Sequence, residues 1–271
     1  MLKKVDSVAD LQKYKRKGFL VTSEDRGGRE HATSIVRFDI AKTIAGGEKL
    51  SKAAFKAALD DPSVTVLDVR PTPMYQAAHV PGAMSMPAPA VAGYPKRLPE
   101  DRSAPVVFYG PGGCLGPTTS LRVKQLGYTD VKIYPLGFAD WTKTEPSVTE
   151  PQWLRRAIDE NLGVIVLDVR EAGTVAAGHI RGAVNIPLAQ LPASRERFPS
   201  APKASIVVYG EGSDDTARQL VDWGCHAVRV LPVGIAEWQQ AGHNVAAGPT
   251  ERKISTGVTI DRAGNVRVAS R

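Results

Sequence analysis

A chain of 271 residues, 42% hydrophobic and 23% charged, has the make-up of a globular protein and suffices for two domains, each with its own core. No apolar run approaches the roughly 18 residues of a membrane-spanning helix, and two cysteines, Cys114 and Cys225, cannot build a disulfide framework. The formal charge of +7 lies at the ends: residues 1–50 carry 11 basic and 7 acidic groups, residues 251–271 carry 5 and 2, and the stretch between them balances. Nucleic-acid binding needs basic residues on one face or interleaved with aromatics. Here they are mixed with acids, so neither nucleic acid nor membrane is an expected partner. The five histidines show no ligand spacing, and adjacent Cys225 and His226 point apart, so no metal and no cofactor are expected. Met1 to Asp6 is basic but has no apolar run behind it, which makes the cytoplasm the expected location.

Residues 1–49 form an N-terminal extension with no counterpart later in the chain. Residues 53–59 read as a short amphipathic helix stopped by Asp60-Asp61-Pro62. Residues 64–69 are a continuous β-branched run, the kind found inside a parallel sheet. A second such strand covers 106–109, a short helix 120–126 ends at Gly127, and a third strand covers 131–134. Thr, Glu, Ser and Pro gather over 142–151, as at a join. The order then returns: helix 153–160, strands 164–169 and 206–209, helix 214–223 before Gly224, strand 227–231. Strands alternating with short helices predict an α/β fold in two domains, 50–147 and 150–247, each a parallel sheet covered by helices on both faces. In the tail, 248–271, Val258, Ile260, Val266 and Val268 alternate around Asp261-Arg262-Ala263-Gly264-Asn265, a β-hairpin pattern. An isolated hairpin is marginal in water, so the tail is expected to pack on the body, against the N-terminal segment.

The two domains are one sequence written twice. Val66-Leu67-Asp68-Val69-Arg70 recurs 100 residues on as Val166-Leu167-Asp168-Val169-Arg170. His79-Val80-Pro81-Gly82-Ala83 recurs as His179-Ile180-Arg181-Gly182-Ala183, and Val107-Phe108-Tyr109-Gly110 as Val207-Val208-Tyr209-Gly210. The register then slips by three, so that Gly137-Phe138-Ala139-Asp140-Trp141 returns as Gly234-Ile235-Ala236-Glu237-Trp238. A period this long is a whole small domain.

An Asp-Val-Arg at a strand end, then Gly178-His179-Ile180-Arg181-Gly182-Ala183-Val184-Asn185-Ile186-Pro187, then strand, loop, helix and Gly-x-x-x-Trp resembles the rhodanese domain. Its double occurrence is similar to the tandem-domain sulfurtransferases. The resemblance implies transfer of sulfane sulfur through a cysteine persulfide. The cysteine opens a loop of inward amides at a helix N-terminus, and such a nest favours thiolate and anionic donor alike.

Both copies depart from that pattern, because Gly110 and Gly210 stand where the nucleophile belongs. The second loop, Gly210-Glu211-Gly212-Ser213-Asp214-Asp215, is three residues shorter and acidic, so the second domain is expected to be catalytically silent. The first loop is glycine-rich and free of acids, with Cys114 four positions late. A longer loop and a helix shortened by a turn would return Cys114 to the nest. Arg70, Gly112, Gly113, Gly116, Thr118, Thr119, Ser120 and Arg122 are then the candidate substrate-binding residues, with a small anionic sulfur donor and a thiol or cyanide-like acceptor as partners. The competing reading makes Cys114 an incidental loop thiol and the chain a non-catalytic module that binds an oxyanion or a protein partner. His79 and His179 are expected as bonded turn residues, Asp68 and Asp168 as carboxylates bonding loop amides, Trp141, Trp238 and Cys225 as core.

Overall fold

The computed structural model describes residues 18–25, 30–38, 48–88, 91, 97–112, 115–198, 202–251, 254, 258–260 and 266–268. For 18–25, 30–38, 115–118, 121, 258–260 and 266–268 it describes the backbone alone. Within the N-terminal extension, β1 (Gly18–Asp25) and β2 (Glu30–Phe38) pair antiparallel as a hairpin, with a register shift between Thr22 and Ser23. The sequence reading assigned no element there.

The first domain runs β3 (Glu48–Lys49), α1 (Lys52–Asp60), β4 (Thr65–Asp68), α2 (Thr72–Ala77), β5 (Met84–Ser85), β6 (Val106–Tyr109), α3 (Leu115–Gln125), β7 (Val131–Tyr134) and α4 (Gly137–Trp141). Its five strands lie in the order β3-β7-β6-β4-β5, all parallel. The second domain repeats this with β8 (Ser147–Val148), α5 (Pro151–Asp159), β9 (Ile165–Asp168), α6 (Ala172–Val175), β10 (His179–Ile180), β11 (Val184–Asn185), β12 (Ile206–Tyr209), α7 (Ser213–Asp222), β13 (Val228–Val230), α8 (Ile235–Gln240) and β14 (Val245–Ala246). Here the parallel order is β8-β13-β12-β9-β11. The repeated Val-Leu-Asp strands β4 and β9 are interior, beside the central β6 and β12.

Continuous apolar runs make these strands because both sheet faces are covered. On β6, Val106 and Phe108 face a cluster with Leu67, Val123 and Val131, while Val107 and Tyr109 face Phe55, Val66, Tyr134 and Trp141. On β12, Ile206 and Val208 pack with Leu167, Leu220 and Cys225, and Val207 and Tyr209 with Leu154 and Trp238. Each such buried side chain contributes on the order of 1.5–3 kcal/mol. Helix α1 begins at Ser51, whose Oγ accepts from Ala54 N at 3.2 Å. It buries Phe55, stacked on Tyr134 at 4.3 Å and edge-on to Trp141 at 5.8 Å.

The join is itself structural. β8 pairs with β13 as the second domain's edge strand, while Val148 bridges antiparallel to His79, each amide donating to the other's carbonyl at 2.9 Å. In the second domain the partner of His179 is β14. One strand thus closes the first domain and opens the second, and Glu145 adds contacts to Lys56 at 2.8 Å and Arg218 at 3.8 Å.

One expected helix is corrected. Residues 120–126 were expected to form it, but α3 starts at Leu115 and has 11 residues against 10 in α7, so it has not lost a turn. Gly116-Pro117 reads as loop by composition, yet a proline in the first turn gives up only an N–H that has no helical partner. The three-residue slip falls mostly before the helix, where residues 110–114 correspond in sequence to 210–212, and ends with one extra helical residue.

After β14 the chain stays on the second domain: Glu251 N donates to Ala183 O at 3.0 Å, and Ile254 packs on the core. β15 (Val258–Ile260) and β16 (Val266–Val268) then pair antiparallel. Their packing against the body lies outside the described residues. Among the described residues no helix is long and apolar enough to cross a membrane.

Candidate functional site

In a parallel sheet the strand ends converge on one edge, and ligands bind beyond the carboxyl ends. In the first domain that edge is built on Asp68, the last residue of β4, which is fully buried. Its carboxylate accepts from Arg70 N at 2.9 Å, from Arg70 Nη2 at 2.5 Å and from the Tyr109 hydroxyl at 2.7 Å. Tyr109 Oη in turn accepts from Val80 N at 3.1 Å, and Arg70 Nη2 also donates to Ala78 O at 2.6 Å. A buried charge must be paired and bonded, and this network pairs it while tying the ends of β4 and β6 to the 78–83 turn. Burial first, then the nearby Asp68 carboxylate, raises the Tyr109 phenol well above its ordinary range.

Arg70, expected to bind substrate, is thus enclosed. Its guanidinium faces Asp68 and carries the Phe138 ring at 3.8 Å, and its side chain is 2% exposed. Phe138 also fixes the loop, since its N–H donates to Gly110 O at 2.8 Å. Gly137, at φ +65°, makes this approach possible: a Cβ there would lie 2.4 Å from Gly110 O and 2.6 Å from Gly112 N. Sequence reading missed Tyr109, Gly137 and Phe138 as site supports. The signal available was their recurrence at Tyr209 and Gly234, with Phe138 changing to Ile235.

Gly112 takes φ +131°, as the loop turns toward α3. Gly113 and Cys114 lie outside the described residues, as does the side chain of Thr118; the backbone of Gly116 and Thr118 is in the first turn of α3. Thr119 and Ser120 are buried in the next turn. Arg122 Nη1 donates to Ala88 O at 3.4 Å, and Ala88 N donates to Val69 O at 3.1 Å, so Arg122 reaches the mouth of β4. No acid occupies the first turn of α3.

The second domain repeats the frame. Asp168 accepts from Arg170 Nη2 at 2.6 Å and from Tyr209 Oη at 2.5 Å, and Ile180 N donates to Tyr209 Oη at 2.9 Å. Its loop differs. Gly210 takes φ +100°, and a Cβ there would lie 2.6 Å from Arg170 Cγ. Asp214 and Asp215 occupy the first turn of α7, where carboxylates complement the positive end of the helix dipole. They stand where an anion would have to bind.

The histidines are bonded turn residues: His79 Nδ1 lies 2.9 Å from Tyr75 O, His179 Nδ1 3.3 Å from Val175 O. Burial lowers the His79 pKa. Cys225 is buried in the core, and burial raises its thiol pKa. No group of three or more potential metal ligands occurs among the described residues.

The rhodanese-like domain family matches the chain twice, over residues 51–144 and 150–241. The candidate sulfur carrier protein YrkF of Bacillus subtilis is 29% identical over 151 residues, 51% of this chain and 77% of that protein. Among solved structures, a thiosulfate sulfurtransferase from Pseudomonas aeruginosa is 22% identical with a TM-score of 0.37, over 76% of this chain and 45% of its own. The Alr3790 protein from Anabaena is 24% identical with a TM-score of 0.34, over 41% of this chain and 88% of its own. The chain therefore spans less than half the length of the Pseudomonas enzyme.

Proposed function

The chain belongs to the rhodanese-like domain family, and from that premise we propose that its first domain transfers sulfane sulfur through a persulfide on Cys114. The observation that carries the proposal is the acid-free N-terminus of α3, whose first helical residue, Leu115, directly follows Cys114. Backbone N–H groups of a first helical turn lie outside the helix's own ladder and favour an anion. The second domain fills the same place with Asp214 and Asp215.

In this reading the Cys114 thiolate attacks the outer sulfur of a thiosulfate-type donor. A new S–S bond forms, the donor's S–S bond breaks, and sulfite leaves with the electron pair. A thiolate or cyanide acceptor then attacks the outer sulfur of the persulfide and returns Cys114 to thiolate. Gly112, Gly113, Gly116 and Thr118 serve as the amide lining, Thr119 and Ser120 support the helix start, and Arg122 is the cation at the mouth. Arg70 acts as a positioning residue that holds Asp68, Tyr109 and Phe138 behind the loop.

The test is intact mass after thiosulfate treatment without reductant. The wild-type chain should gain one sulfur atom, and cyanide should release it as thiocyanate. Cys114→Ser should do neither. Absence of the adduct on the wild-type chain would leave a non-catalytic rhodanese-like module.

A further inference from the structure

The change from Phe138 to Ile235 alters what covers the arginine of each network. In the first domain the Phe138 ring lies 3.8 Å from Arg70 Cζ, with Tyr109 further off at 5.7 Å. In the second, Tyr209 lies 5.6 Å from Arg170 Cζ, and among the described residues no ring takes the place of Phe138. The Arg170 side chain is accordingly 17% exposed against 2% for Arg70. It opens, with Ile235, into a cleft of about 860 Å³ between the two domains. That volume lies in the range of small-molecule sites, about 300–1,000 Å³.

The cleft has an apolar wall from Trp141, Val148, Leu231 and Val233. Its charges are unequal. Glu145 lies between Lys56 and Arg218, and Arg170 is paired with Asp168. Among the described residues this leaves Asp60, Glu211 and Asp214 with no cation facing them in an ion pair.

We propose that this cleft binds a small cationic aromatic molecule. Its ring lies on the Arg170 guanidinium, in the place that Phe138 takes on Arg70, and its ammonium group faces Glu211 and Asp214. A guanidinium is planar and weakly hydrated, so it stacks on rings. With Asp168 balancing its charge, Arg170 offers a surface rather than an unmatched cation. The site uses neither Cys114 nor the first-domain loop, so it stands or falls apart from sulfur transfer.

The experiment is calorimetric titration of the full chain with tryptamine. Saturable binding with a Kd below about 1 mM is expected. Indole-3-propionate, with the same ring and a carboxylate, and butylamine, with no ring, should each bind at least about tenfold more weakly. Ile235→Phe, which supplies the first domain's ring, should weaken tryptamine about tenfold with the thermal midpoint kept. If that variant does not fold, Glu211→Gln on the exposed loop decides, and it should weaken tryptamine severalfold. No saturation by about 1 mM, or affinity unchanged in the deciding variant, overturns the proposal.

Discussion

The Tyr109 hydroxyl donates to Asp68 Oδ2 across 2.7 Å, inside a network from which water is excluded. The same carboxylate is the counter-charge of Arg70, 2% exposed. Removing one partner of a buried ion pair leaves the other unmatched, at a cost of about 3–5 kcal/mol. Asp68→Ala should lower the unfolding free energy, measured by urea titration, by that amount. Asp168→Ala should cost less, because Arg170 is 17% exposed and water can reach it. Equal losses would contradict the difference in enclosure.

Stability should fall on the alkaline side. Burial first, then neighbouring carboxylates, raises the phenols of Tyr109 and Tyr209, and Tyr75 is pushed up to about 12. These groups stay neutral in the fold after the unfolded chain has begun to lose their protons near the ordinary value of 10.0. Their contribution is therefore present in full below about pH 10 and lost as pH rises through the folded values. Urea midpoints should be flat from about pH 8 to 9.5 and fall by about pH 11. Tyr75→Phe should make that fall shallower.

Gly137→Ala tests the loop clamp. At φ +65°, with a Cβ 2.4 Å from Gly110 O, the variant must displace the loop or α4. A loss of about 1–3 kcal/mol is expected, with sulfur-adduct formation slowed more than tenfold, roughly, if the loop positions the thiol. Gly173→Ala is the control, with nothing within 4 Å of its Cβ, and should change neither stability nor rate.

Gly210→Cys should not create a second reactive site. The residue takes φ +100°, and its Cβ would press on Arg170 Cγ at 2.6 Å, beside two acids in the first turn of α7. In a Cys114→Ser background the variant should remain without a sulfur adduct and lose about 1–3 kcal/mol of stability. A sulfur gain in that double variant would show that the second loop can still host an anion.

Alkylation should separate the two thiols. Cys225 is buried with its pKa raised, so iodoacetamide at neutral pH should modify it slowly. Cys114 should react faster, and thiosulfate should slow that reaction. Equal rates would argue against a thiolate at Cys114.

Much of the fold was legible in the chain. The residues of β6, β7 and β12 were read with their observed bounds, because a strand buried on both faces must be a continuous apolar run, and the duplication displayed the pattern twice. The loss of both standard nucleophile positions, the acids of the second loop and the place of the slip were visible in the same way. What the chain did not display depends on partners far away in sequence. α3 keeps its first turn through Gly116-Pro117 because only the N–H groups of that turn lack helical partners, a matter of position rather than composition. β8 serves two domains because Val148 meets both His79 and Val230, 69 and 82 residues away. Arg70 turned inward because Asp68, Tyr109 and Phe138 close around it, while Ile235 leaves Arg170 open to the cleft. Local patterning determines which segments become strand or helix, since it acts through neighbours along the chain. Which charges end enclosed and which face a cavity is decided only when those segments pack, because burial is a property of the assembled surroundings.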